Sequence, residues 1–184
     1  MSEQNSLYVH VPISKERLAQ FFQSESVAHE VDEDWTAWWN SREMYSPSPL
    51  TQVPKFYDSK NNGDIATGFL ALPQLGCYED ENAQESVWTF SVLFLSENYE
   101  EILPTLAWVK SLATFMEPGE KGFALIYDYF WGDKTVMAHV VLENQQAFLK
   151  HTSRTTQLEP EVLETANAAL SKAYDKFSEL YKDE

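Results

Sequence analysis

The 184-residue chain predicts an α+β fold, with a largely antiparallel sheet of about five to six strands and helices packed mainly on one face. Three observations carry that expectation. Short segments alternate apolar and polar residues and are bounded by turn residues, as strands are. Amphipathic helical segments occur at intervals, without the strict strand–helix alternation of a parallel sheet. Hydrophobic residues make up 43% and aromatics 14%, enough apolar surface to offset chain entropy in a single domain over residues 1–184.

The first strand is read at 7–13, where Leu7, Val9, Val11 and Ile13 share one face. Ser14 then caps a helix to about Ser24, with Ile13 and Leu18 as its hydrophobic staple and Leu18, Phe21 and Phe22 as its buried stripe. Asp32, Glu33 and Asp34 open a second helix to about Met44, because acids suit the positive end of a helix dipole. Pro47, Pro49 and Pro54 end it. Asn62-Gly63 reads as a hairpin turn between strands at 53–57 and 65–72, and 73–86 as an acidic loop. A strand is read next at 87–95, with Trp88, Phe90, Val92 and Phe94 on its more apolar face. A helix then runs to about Met116, beginning near Pro104, with Ile102, Leu106, Val109, Ala113 and Met116 at four–three spacing.

Gly132-Asp133 suggests a two-residue type II′ turn joining strands at 123–131 and 134–142. That register sets Tyr129 opposite Val136 and Ile126 opposite His139. It puts Phe123, Leu125, Tyr127, Tyr129 and Trp131 on one face with Val136, Ala138, Val140 and Leu142. The final helix starts with Pro160 at its first position and carries a stripe from Val162 to Tyr181.

Charge is the dominant global feature: 29 acidic against 13 basic residues, a net of −16. Phosphate contacts need Lys and Arg, so nucleic acid is not an expected partner. Anionic membrane surfaces would repel the chain, and no run approaches the length of a membrane span. Between Lys60 and Lys110 there is no Lys or Arg, while Asp64, Glu79, Asp80, Glu81, Glu85, Glu97, Glu100 and Glu101 contribute −8. A second acidic stretch is Glu25, Glu30, Asp32, Glu33 and Asp34. The polar N-terminus lacks a signal-peptide pattern and the lone Cys77 leaves no internal disulfide, which points to the cytoplasm.

Chemical motifs are sparse. His10, His29, His139 and His151 form no zinc-ligand spacing, no CxxC exists, and neither phosphate-loop nor nucleophile-elbow patterns occur. No metal and no cofactor is therefore expected. Leu7-Tyr-Val-His-Val-Pro resembles the strand that opens some radical-SAM enzymes, but no cluster cysteines follow. His151-Thr-Ser resembles half of a two-histidine phosphoesterase signature, and no second half is present.

Three constellations remain. Asp128 and His139 fall on one face as diagonal neighbours in the register above, and a His–carboxylate pair can orient an acid–base catalyst. A satisfied polar pair is the simpler account. Trp35, Trp38 and Trp39 form a stripe beside acids; such stripes are usually core, but Trp35 or Trp39 could anchor a partner. Residues 150–156, Lys-His-Thr-Ser-Arg-Thr-Thr, make a basic island that could hold an anion or simply be solvated. Cys77 reads as a buried, inert thiol.

The composite expectation is a non-catalytic factor of inhibitor, immunity or antitoxin type. Its partner would be a basic protein such as a nuclease, docking on Glu79, Asp80, Glu81 and Glu85. Glu97, Glu100 and Glu101 are candidates to extend that surface, and Trp35 and Trp39 are candidate anchors. The alternative is a small enzyme or ligand-binding domain with a pocket near Asp128 and His139.

Overall fold

A computed structural model describes residues 2–82 and 84–182. It contains six strands and five α-helices: β1 (Asn5–Pro12), α1 (Lys15–Gln23), α2 (Glu33–Ser41), α3 (Asn62–Leu70), β2 (Cys77–Asn82), β3 (Val87–Ser96), α4 (Leu103–Ser111), β4 (Lys121–Tyr127), β5 (Val136–Glu143), β6 (Gln146–Lys150) and α5 (Pro160–Leu180). The strands form one antiparallel sheet in the order β2-β3-β1-β4-β5-β6. It is the α+β sheet that the alternating segments predict.

The two sheet faces are covered unequally. Leu7, Val9, Val11, Trp88, Phe90, Ala124, Ile126, Ala138, Val140 and Leu142 pack beneath α1 to α4 in the main core. On the other face Tyr8, Leu93, Leu125, Tyr127 and Val136 meet α5 alone, through Ala166, Leu170 and Ala173. Six strands at about 4.8 Å spacing span roughly 24 Å, and one helix is about 10–12 Å wide. A single helix therefore leaves part of its face uncovered. α5 lies over β3 and β1, so the open part falls toward β4, β5 and β6.

Side-chain capping explains where α1 and α2 start. The side chains of Ser14 and Asp32 accept from the backbone N–H groups of Arg17 and Trp35. α2 ends at Ser41, short of Met44, because Arg42 turns into extended backbone and its Nη1 donates to the carbonyls of Val136, Met137 and Thr152. α4 ends at Ser111 and tightens into a 3₁₀ turn over Leu112–Phe115, which still buries Ala113 and sets Met116 in the core. At the far end of α5 the expected stripe fails: Leu180 is 63% exposed.

Three expectations are corrected. Asn62-Gly63 is the first turn of α3, not a hairpin. The Asn61 side chain accepts from Asp64 N–H and Asp64 accepts from Asn61 N–H, a reciprocal capping box that nucleates a helix. The acidic loop at 73–86 contains a strand, β2, because a strand on the sheet edge has no need of an apolar pattern. The Gly132-Asp133 hairpin is also wrong. The Asp128 carboxylate accepts from the N–H groups of Trp131, Asp133 and Lys134 and folds 128–135 into a longer loop. The strands then pair Leu125 with His139 and Ile126 with Ala138, and Met137 is the extra residue of a bulge. A one-residue slip exchanges faces. Ala138, Val140 and Leu142 accordingly lie opposite in sense to Leu125 and Tyr127, in the main core.

β4 can approach β1 closely only because residue 122 is glycine. A Cβ there would lie 2.8 Å from the carbonyl oxygen of His10 and 3.2 Å from Val11 Cα. This contact brings His10 alongside Phe123 at the edge of the uncovered face.

Candidate functional site

Two regions hold the chemistry that the sequence singles out: the free edge β2 and the uncovered sheet face beside α5.

β2 pairs with β3 on one side only, so its other edge faces solvent. Glu79, Asp80, Glu81 and Asn82 are all exposed, as is Glu85 beyond the strand. The strand's alternation splits the acids. Glu79 Oε1 accepts from Trp88 Nε1 at 2.9 Å on the main-core side. Asp80 faces α5 and lines a groove with Tyr8, Tyr78, Lys172 and Lys176. Leu70 and Leu72, just ahead of the strand, remain 42% and 43% exposed.

The other acids are dispersed. Ser96, which precedes Glu97, lies at the opposite end of β3 from Trp88, the partner of Glu81. Glu79 pairs with Phe90, so at about 3.4 Å per residue Glu97 is about 24 Å along the sheet from it. Glu97 accepts from Glu3 N–H and Glu101 from Ser96 Oγ. Glu97, Glu100 and Glu101 thus do not extend the β2 surface. In the earlier stretch, Asp32 caps α2 and Asp34 binds Lys110 at 2.8 Å. Trp35 and Trp39 drop out as partner anchors. They are 1% and 4% exposed, and Trp39 Nε1 donates to the Ser48 carbonyl from inside the core.

On the α5 side, a cavity of about 560 Å³ opens beside the start of the helix. Consecutive strands supply its wall: His10 from β1, Lys121, Gly122 and Phe123 from β4, His139, Val141 and Glu143 from β5, and Lys150 from β6. Register places them together, since His10 pairs with Phe123, Phe123 with Val141, and His139 with Lys150. Thr152, Gln157, Glu159 and Val162 close the side nearest the start of α5. The His10 and Phe123 rings stack at 5.4 Å with 10° between planes.

Each histidine is fixed through Nδ1. Tyr8 Oη meets His10 Nδ1 at 3.0 Å, and Thr152 Oγ1 meets His139 Nδ1 at 2.9 Å. Burial lowers the pKa of both rings. For His139, burial together with the Lys150 and Lys121 ammonium groups, opposed by Glu159, brings it down to about 4. For His10, burial outweighs the attraction of Glu85. Both rings are neutral near pH 7. Burial raises the Tyr8 phenol to about 12, with Asp80 adding to the effect, so it keeps its proton.

Asp128 and His139 do not form a pair. The Asp128 carboxylate is occupied by the 128–135 loop and His139 by Thr152, and no hydrogen bond joins them. The basic island at 150–156 contributes Lys150 and Thr152 to the cavity. His10, Lys121, Gly122, Glu143 and Glu159 are among the lining residues that sequence reasoning misses. For His10 and Lys121 a signal exists, because each occupies an alternate position of its strand on the face away from the main core. Cys77 is half-buried, and burial pushes its thiol up to about 12. Among the described residues, no group of three or more His, Cys, Asp or Glu is placed to hold a metal ion, and no helix is long and apolar enough to cross a membrane.

The depressed His139 pKa has a stability consequence. Below about pH 6.5 the unfolded chain protonates this ring and the folded chain does not, so stability falls as pH drops from 6.5 toward 4. Allowing for screening at a partly accessible ring, the loss attributable to His139 is on the order of 1–2 kcal/mol. Urea midpoints at pH 7.5 and 4.5 should converge for His139→Gln relative to the unaltered chain. Equal pH dependence in the two proteins would refute the assignment.

Comparison with family models, curated proteins and solved structures gives no match to this chain.

Proposed function

We propose that the chain is a non-catalytic binding protein that recognises a basic protein partner along the free edge of β2. The observation that carries this reading is the edge itself: three consecutive acids, all exposed, on an outermost strand with one open side. An extended segment of a partner can add to such an edge through main-chain hydrogen bonds. Lys or Arg on that segment would lie opposite Glu79 and Glu81, while Leu70 and Leu72 offer apolar contact beside it. A basic enzyme whose site is built for phosphates, such as a nuclease, is the kind of target an acidic strand can cover. The role would then be inhibition, of the immunity or antitoxin type.

The test has two parts. An extended peptide alternating Lys and Thr is titrated into isotope-labelled protein, and amide shifts should concentrate in β2. A partner captured from lysate at low salt is then measured kinetically. Association should slow as salt rises, because exposed charges are screened beyond about 8 Å at physiological ionic strength. Reversing Asp80 and Glu81 to Lys should lower the association rate at least tenfold at low salt while leaving the melting temperature nearly unchanged, because Glu79, the acceptor for the buried Trp88 Nε1, is kept. Unchanged rates in the reversed protein, or peptide shifts elsewhere, would overturn the reading.

A further inference from the structure

The cavity beside α5 is independent of the β2 edge and has its own chemistry. Its volume of about 560 Å³ falls within the usual range of small-molecule sites, roughly 300–1,000 Å³. It also gathers two of the chain's four histidines and two of its thirteen basic residues, in a protein of net charge −16. Lys121 stands opposite Glu143 in the β4–β5 register. Yet among the described residues the ion pairs are Arg17–Glu117 and Lys110–Asp34, and neither cavity lysine is within 4 Å of an acid.

His139 and Lys150 are direct cross-strand partners, and both can act as donors into the cavity. In the tautomer in which the Tyr8 phenol donates to His10 Nδ1, Nε2–H is that ring's donor. A neutral His139 that accepts from the Thr152 hydroxyl presents Nε2–H in the same way. Neither Nε2 has a hydrogen-bond partner among the described residues. The Lys150 ammonium and the His139 Nε2–H, on directly paired residues, can therefore both donate to one acceptor, whereas Lys121 lies two strands and four residues away, about 17 Å along the sheet, at the other end of the cavity. The rest of the wall is apolar: the stacked His10–Phe123 pair, Val141 and Val162. Glu143 and Glu159 also line the space, and they oppose a second negative charge on anything bound there.

We propose that this cavity binds a small organic monocarboxylate. Its carboxylate is held by Lys150 and the Nε2–H of His139, and its planar or apolar body lies along Val141 toward Phe123 and His10. Glu143 and Glu159 set the preference for one negative charge over two. A flat aromatic body gains most, because it can extend the existing His10–Phe123 stack.

The test uses benzoate, acetate and inorganic phosphate as probes against the full chain, read by imidazole resonances of the four histidines. Benzoate should shift His10 and His139 saturably, leave His29 and His151 in place, and bind at least tenfold more tightly than acetate. Phosphate should bind more weakly than benzoate. Lys150 is exposed, so the Lys150→Ala variant should fold normally, which the unshifted His29 resonance checks. It should lose at least tenfold in benzoate affinity. Three results would overturn the proposal: shifts that do not saturate, phosphate binding as tightly as benzoate, or equal benzoate affinity in the Lys150→Ala variant. Reversal of the β2 acids should leave benzoate binding unchanged, which separates this site from the protein-docking surface.

Discussion

Asp34→Ala is expected to destabilise the protein by about 3 kcal/mol, the low end of the loss caused by stranding one member of a buried ion pair. The Lys110 side chain is only 6% exposed and its Nζ lies 2.8 Å from Asp34 Oδ2. The same ammonium sits 4.5 Å from the Trp35 ring centroid. Asp34 also accepts from Leu149 N–H, so α2, α4 and β6 are tied through one carboxylate. Removing it leaves both an uncompensated buried charge and an unpaired backbone donor. Asp34 is itself 26% exposed, and water entering there keeps the loss from the upper end of the range. Urea denaturation of Asp34→Ala, Lys110→Met and the double variant measures the coupling. The double variant should be more stable than Asp34→Ala, because the stranded charge is gone. Additive losses would show that the pair contributes nothing.

Trp38→Ala is expected to cost about 3–5 kcal/mol. The ring is fully buried, packs edge-on against Trp35 and Tyr99, and donates from Nε1 to the Met137 carbonyl at 3.2 Å. Met137 is the bulge residue of β5, and Arg42 Nη1 binds the same carbonyl at 3.3 Å. α2 therefore grips the sheet at its irregular point, and truncation removes packing as well as a bond to buried backbone. Trp38→Phe should retain most of the packing and lose less. An exposed docking residue would behave differently, since surface truncations usually change stability by less than about 0.5 kcal/mol. Guanidinium unfolding of the two variants distinguishes these roles: a near-neutral Trp38→Ala would mean that α2 is not seated as described.

Sequence by itself determined the parts governed by local pattern. Alternation marks β1 and β3; caps and stripes mark α1, α2 and the first two-thirds of α5. The acidity of 79–85 and the basic island at 150–156 are equally plain, because composition needs no geometry. The chain also carries a capping box at Asn61 and Asp64, a local signal that outweighs the Asn-Gly turn signal beside it.

Tertiary structure alone decided three things. It made Cys77–Asn82 a strand, since hydrogen bonding to β3 supplies what apolar alternation would otherwise indicate. It set the β4–β5 register, because the Asp128 carboxylate organises a loop over 128–135 where the local turn signal suggests two residues, and one residue of slip moves every side chain to the other face. And it placed His10, Lys121, His139 and Lys150 around one cavity. That convergence depends on strand order, which non-local pairing fixes and no window of sequence encodes, and on the width of a single helix lying across a six-stranded sheet.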